Sequence, residues 1–206
     1  MIRHVVFDLG GVLTELDLDR CQAAFRAIGL EQIGALIDPC HPNAMFGRLE
    51  AGELSWAETC AEIRRMTGNR TVSDEAIAGA LAAFLSPIPV EKLRAIERLR
   101  GRGIRTYVLS NNNPVGMEVI RGFCTADGRT MDDYFDRIYV SCEMKALKPS
   151  PEIFRKMLAD SGMRAEETLF VDDSPRNVAA AAALGFETYC PQNGEDFTPL
   201  LDRIGR

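Results

Sequence analysis

Short apolar runs of strand length recur along the chain, at 5–7, 105–109, 138–140, 168–171 and 188–190. Between the later runs the apolar positions move to helical spacing. In "VEKLRAIERLR" Leu93, Ile96 and Leu99 share one face, and the segment ends at Gly101. "SPEIFRKMLADSG" opens with Ser150 as an N-cap and Pro151 at the first helical position, and it stops at Gly162. "PRNVAAAAALGF" runs from Pro175 to Gly185. Strands alternating with helices predict an α/β fold with a mostly parallel sheet.

One stretch breaks the alternation. Residues 15–88 hold no convincing strand but show helical patterns at 18–28, 56–66 and 74–84. Pro39, Pro42, Gly47 and Gly52 punctuate the stretch between the first two. The pattern therefore predicts a core built from 1–14 and 89–206, with a helical insertion over 15–88.

In open parallel sheets, ligands bind beyond the C-terminal ends of the strands. That rule selects Asp8 after "VVF", Ser110 and Asn111 after the second run, and Asp172 and Asp173 after "TLFV". Alone, Asp8 reads as a turn or helix-capping carboxylate. Several carboxylates at one sheet edge repel unless a cation lies between them. Oxygen ligands without histidine suit Mg²⁺, which points to a site made by Asp8 and one of the later aspartates. Gly10 and Gly11 allow close approach of a ligand to the backbone, although Gly-Gly alone is as often just a turn. Lys148, held beside Pro149, is a candidate to supply positive charge to a bound phosphate, for which Ser110 and Asn111 are suitable donors.

Composition narrows the partners. The 206 residues carry a net charge of −6, which argues against nucleic acid or an anionic membrane as the main partner. It leaves room for an anionic small molecule in a cleft with a metal. Only His4 and His41 occur, too few for a histidine-built zinc site. Cysteines at 21, 40, 60, 124, 142 and 190 have no metal-binding spacing and read as reduced cytosolic thiols. No run is long enough to span a membrane, and Met1 leads into the first strand without a signal peptide, so a cytoplasmic location is expected.

"FDLGGVL", "LSN", "LKP" and "FVDDSPRN" resemble, in order, the four motifs of the haloacid dehalogenase-like hydrolase superfamily. The match spans Asp8 to Asn177. Within it the chain resembles small bacterial sugar-phosphate phosphatases of the α-D-glucose-1-phosphate phosphatase type, and the phosphatase domain of soluble epoxide hydrolase. The resemblance implies a Rossmann-like parallel core with helices on both faces and an α-helical cap inserted after the first strand. It implies a Mg²⁺-dependent phosphatase acting through an aspartyl-phosphate, with Asp8 as nucleophile and metal ligand. The Gly10 carbonyl and Asp173 would complete the protein ligands, with Asp172 and Asn177 in an outer shell. Ser110 and Asn111 would bind the phosphoryl group, and Lys148 would neutralise charge shared by Asp8 and the phosphate.

One departure stands out. Most phosphatases of this superfamily carry a second aspartate two residues after the nucleophile, as general acid/base. Here that residue is Gly10. Slow turnover, a substitute group or a substrate with a good leaving group would each fit. Two other readings follow: a metal-independent 2-haloacid dehalogenase, and a non-catalytic phospho-ligand-binding protein. The Asp172–Asp173 pair favours the phosphatase. A monosaccharide phosphate is the first choice of substrate, and a nucleotide or other small phosphomonoester the second. His41, Asn43, Phe46 and Arg48 offer groups for a substrate-selecting cap surface, though each reads as readily as a loop, core or surface residue. Trp56 reads as cap core. The oligomeric state is open.

Overall fold

The computed structural model describes residues 1–37, 44–124 and 128–205. His41, Asn43 and Cys40 lie outside them. The chain begins with β1 (His4–Phe7). Five helices follow: α1 (Leu18–Ala27), α2 (Glu31–Gly34), α3 (Ala44–Glu50), α4 (Trp56–Thr67) and α5 (Asp74–Ala82). The alternating part then runs α6 (Val90–Gly101), β2 (Arg105–Ser110), α7 (Pro114–Phe123), α8 (Met131–Tyr134), β3 (Arg137–Val140) and α9 (Ser141–Met144). It ends with α10 (Pro151–Ser161), β4 (Thr168–Val171), α11 (Pro175–Ala182), β5 (Glu187–Tyr189) and α12 (Thr198–Leu201).

All five strands are parallel, in the order β3-β2-β1-β4-β5. The expected α/β fold with a parallel, Rossmann-like sheet is therefore present. The chain winds outward from β1 through β2 and β3, then returns to the other side of β1. The crevice between β1 and β4 is thus the topological switch point. Phe7 pairs with Val108 on one side and Val171 on the other, so the residues after Phe7 and Val171 emerge side by side.

Strand alternation divides the core. Val5 and Phe7 point to one face and pack with α6, α7, α8 and α12, around Leu93, Ile96, Leu99 and Phe135. Val6 points to the other face and packs with α10 and α11, around Phe154, Met157 and Phe170. Both faces are buried, as parallel sheets require.

Helices α1–α5 gather around a separate apolar cluster that includes Phe25, Ile33, Phe46, Leu49, Ile63 and Ile77. Val115 on α7 joins it, which ties this cluster to the sheet layer. The chain leaves and rejoins the sheet layer through two adjacent segments. Leu16 bridges Leu85, Asp17 N–H donates to the Phe84 carbonyl (2.8 Å), and Ser86 N–H donates to the Glu15 carbonyl (3.0 Å). Arg20 adds a bond to the Ala83 carbonyl at 2.7 Å. Local signals set the helix starts: Ser55 and Glu58 form a capping box before α4, and Ser73 caps α5. No helix among the described residues is long and apolar enough to cross a membrane.

Candidate active site

Asp8 follows the last residue of β1 because its own N–H continues the ladder, donating to the Val171 carbonyl at 2.8 Å. Its carboxylate turns back on the chain, and one oxygen accepts the Leu9 N–H at 2.7 Å. The other lies 2.9 Å from Lys148 Nζ. The tight loop that follows closes on itself: Leu13 N–H donates to the Leu9 carbonyl at 2.9 Å, and Gly11 N–H to the Thr14 carbonyl at 2.8 Å. Gly11 is in the left-handed region (φ 73°), and a Cβ there would collide with the Asp173 carboxylate. That glycine therefore lets the loop after β1 touch the aspartate after β4.

Lys148 is fully enclosed. Its ammonium donates to Asp172 at 2.7 Å and to the Leu109 carbonyl at 2.8 Å, besides pairing with Asp8. Two aspartates thus share one buried cation. Burial alone would lower the lysine pKa, but the charges of Asp172 and Asp8 outweigh it and raise it, so the ammonium stays charged. Lys148 and Pro149 are joined by a cis peptide bond.

Asp172 is completely buried and fully bonded. Besides Lys148 it accepts the Ser174 N–H (2.9 Å) and Asn177 Nδ2, at 3.0 and 3.1 Å from its two oxygens. Asp173 faces the pocket instead, half-buried. Burial and the neighbouring Asp172 push its pKa up to about 6, against the pull of Lys148. Burial also raises Asp8, helped by Asp172 and Asp173 and opposed by Lys148. Both shifts have the same first cause, burial, and the neighbouring carboxylates add to it.

Oxygen atoms of Asp8, Asp172 and Asp173 all lie within 4.8 Å of one another. The donor set is oxygen only, with neither histidine nor thiolate, which fits a small hard dication. Asp172 already holds Lys148, Ser174 and Asn177, whereas Asp173 has its carboxylate on the pocket side. The arrangement suits Asp8 and Asp173 as direct ligands.

Ser110, the last residue of β2, is buried and lines the same pocket. Asn111 is used in a way that the motif does not suggest. Its amide nitrogen donates to the Lys148 carbonyl (2.9 Å), and its oxygen accepts the Lys148 N–H (2.8 Å). Both ends of the amide hold the lysine loop, so Asn111 positions Lys148, while the second amide hydrogen of this pocket-lining residue is left for a ligand. Asn113 caps α7 by accepting from Val115 and Gly116 N–H.

The pocket above these groups has a volume of about 690 Å³ and reaches across to the α1–α5 side. Phe46 lines it, and both Phe46 and Trp56 pack with the second apolar cluster. Arg48 points outward and pairs with Glu53 at 3.6 Å. Sequence reasoning passed over Glu50, at the end of α3, which lines the pocket opposite Asp8. Burial and the Asp8 charge push its carboxyl up to about 7, partly offset by Lys148.

A family model for haloacid dehalogenase-like hydrolases matches residues 2–185. The chain is 36% identical over 205 residues to D-ribitol-5-phosphate phosphatase of Bacteroides thetaiotaomicron, covering 99% of this chain and 98% of that one. A solved structure of a predicted HAD-like family hydrolase from Porphyromonas gingivalis matches with TM-score 0.91 and 43% identity, over 100% of this chain and 98% of the other. A HAD family enzyme from Bacteroides thetaiotaomicron, solved in complex with magnesium and inorganic phosphate, matches with TM-score 0.90 and 37% identity, over 97% and 99%.

Proposed function

The chain belongs to the haloacid dehalogenase-like hydrolases, and from that premise we propose that it is a magnesium-dependent phosphatase of small phosphomonoesters. One observation carries the reading: the meeting of Asp8, Asp172 and Asp173 around Lys148 at the β1–β4 switch point. The similar enzyme solved with magnesium and phosphate supports it. In a metal-independent dehalogenase the pocket-facing Asp173 would have no cation to hold.

In this proposal Asp8, the Gly10 carbonyl and Asp173 hold Mg²⁺. The bound ion neutralises charge on the carboxylates and on the phosphoryl oxygens. The free oxygen lone pair of Asp8 attacks phosphorus in line, and the ester oxygen leaves with its electron pair. Water then attacks the same phosphorus, the bond to Asp8 breaks, and inorganic phosphate departs. Lys148 keeps Asp8 ionised and oriented, and adds fixed positive charge where the transition state spreads negative charge. Asp172, itself held by the Asn177 amide, holds Lys148 from behind, and Asn111 fixes its backbone. Ser110 donates to a phosphoryl oxygen. Helices α1–α5, over 15–88, act as a cap that covers the pocket and excludes water from the covalent intermediate.

The nature of the ester carbon skeleton has two readings. The relative named D-ribitol-5-phosphate phosphatase supports a sugar or polyol phosphate. One part of the pocket wall suits a less polar body: Leu16, Leu18, Ile37, Phe46, Phe84 and Leu85 line it, while Glu50, Arg176 and Asn193 leave partners for a hydroxyl. A panel comparing kcat/KM for polyol and alkyl phosphates decides between them.

The test of the main reading is phosphate release from such a panel with Mg²⁺, with a chelator, and by Asp8→Asn. Turnover should require the metal and fall by at least about 10³-fold in the variant. Turnover that survives the chelator or the substitution contradicts the proposal.

A further inference from the structure

The proposed reaction, on which this inference rests, has an unmet need. An alkoxide leaving from phosphorus must receive a proton, and the water that later attacks must lose one. Position 10, two residues after the nucleophile, is glycine and has no side chain to do either.

The described residues lining the pocket narrow the choice. Asp8 is the nucleophile, and Asp173 faces the proposed ion. Lys148 is a poor proton donor: it is locked between Asp8 and Asp172, and those charges strengthen its hold on its protons. Arg176 brings a guanidinium and no carboxyl group. Glu50 is the carboxyl group that is left.

The chain around Glu50 is fastened to the sheet side of the pocket. The Glu50 carbonyl accepts a hydrogen bond from Ser141 Oγ at 2.6 Å. The same hydroxyl accepts the N–H of Asn112, two residues beyond Ser110, at 3.0 Å. Lys145 Nζ donates to the Gly52 carbonyl at 2.6 Å. Gly52 is in the left-handed region (φ 68°), and its Cα sits so close to the Cys142 carbonyl that a side chain would not fit. These contacts anchor the end of α3 to the segment after β3. The helix thereby brings a carboxyl group to the pocket that Asp8 also lines.

We propose that Glu50 is the acid/base of this site, protonating the departing ester oxygen and then taking a proton from the water that hydrolyses the Asp8 phosphate. In the first half, the P–O bond to the leaving group breaks, and the Glu50 proton passes to that oxygen. In the second, Glu50 carboxylate takes one water proton as the water oxygen bonds to phosphorus. The bond to Asp8 then breaks, and Asp8 carboxylate and Glu50 acid are both restored. Burial favours the protonated form of Glu50, as the first half requires. The proton donor would thus sit on the helical segment and the nucleophile on the sheet.

The test compares Glu50→Gln with the wild type in the full chain with Mg²⁺, on the best alkyl phosphate and on p-nitrophenyl phosphate. The readout is kcat/KM, which extends only to leaving-group departure. A nitrophenolate leaves without a proton and an alkoxide does not, so a proton donor acts selectively on the alkyl ester. The loss of kcat/KM on the alkyl ester should exceed that on the aryl ester by about 100-fold. Adding Gly10→Asp to the variant should recover part of the alkyl loss. Equal losses on both esters, including total loss through misfolding of the site, or no loss on either, overturn the role of Glu50. If Asp8→Asn is inactive and the wild type active in the same assays, the phosphatase reading survives that failure. A wild type inactive on every ester overturns both.

Discussion

The sheet edge and the helical segment facing it treat charge in opposite ways. At the edge, Lys148 and Asp172 are completely buried, and each is bound on several sides by partners from other elements. Across the pocket, helices α1–α5 keep their ion pairs on the outside. The Arg48 and Glu53 side chains are 49% and 63% exposed, and the wall facing the site is mostly leucine, isoleucine and phenylalanine. The difference fits the two tasks proposed for these regions. Fixed charges that stabilise a transition state must be held rigidly and dry, because water would screen them. Selecting and covering a substrate needs shape and apolar surface. Glu50 is the exception on the helical side, and that contrast is what singles it out.

The largest effect that this contrast predicts is at Lys148. Lys148→Met leaves Asp8 and Asp172 buried without their cation, and should cost about 3–5 kcal/mol in denaturant unfolding at neutral pH. A loss below about 1 kcal/mol would mean that the edge is wetter than its burial implies. An intermediate effect belongs to Glu50. The folded chain holds its proton up to about pH 7, against 4.5 for an ordinary glutamate. As pH rises between those values, the unfolded chain releases the proton first, so this group's contribution to stability falls across that window and is flat above it. Metal-free wild type should therefore lose stability relative to Glu50→Gln between pH 4.5 and 7.5 in urea titrations. Parallel curves would show that Glu50 is solvated. The smallest effect is expected at the outer surface: Arg48→Ala should change stability by less than about 0.5 kcal/mol, because its pair with Glu53 is long and exposed.

The same contrast governs how much could be read from the chain. The sheet was legible because β1, β2 and β4 are largely apolar runs that end on or run into a polar residue, and parallel topology sends those ends to one edge. Asp8, Ser110 and Asp173 were visible for that reason, Lys148 through its place beside Pro149, and they line one pocket. Asn111 was visible too, but nothing local could show both ends of its amide turned to the Lys148 backbone. Helix α7 was hidden by the asparagines and glycines of "NNNPVGMEVIRGF". Its signal was Asn113 as N-cap with Pro114 at the first helical position. Glu50 was not legible at all. In "RLEAGEL" it resembles Glu53, and what separates them is tertiary: the Ser141 hydroxyl on its carbonyl, and the pocket its side chain lines. Patterning reports which face a residue is on; it does not report what a distant segment brings to that face.

The nucleophilic role proposed for Asp8 is open to direct observation. The peptide carrying Asp8 can be weighed after acid quench during the first turnover of an activated phosphate ester with Mg²⁺. The expected result is one phosphoryl group on that peptide, appearing with the first equivalent of released alcohol and absent in Asp8→Asn. Alcohol released in stoichiometric amount, with the peptide unmodified at every time point, would contradict it.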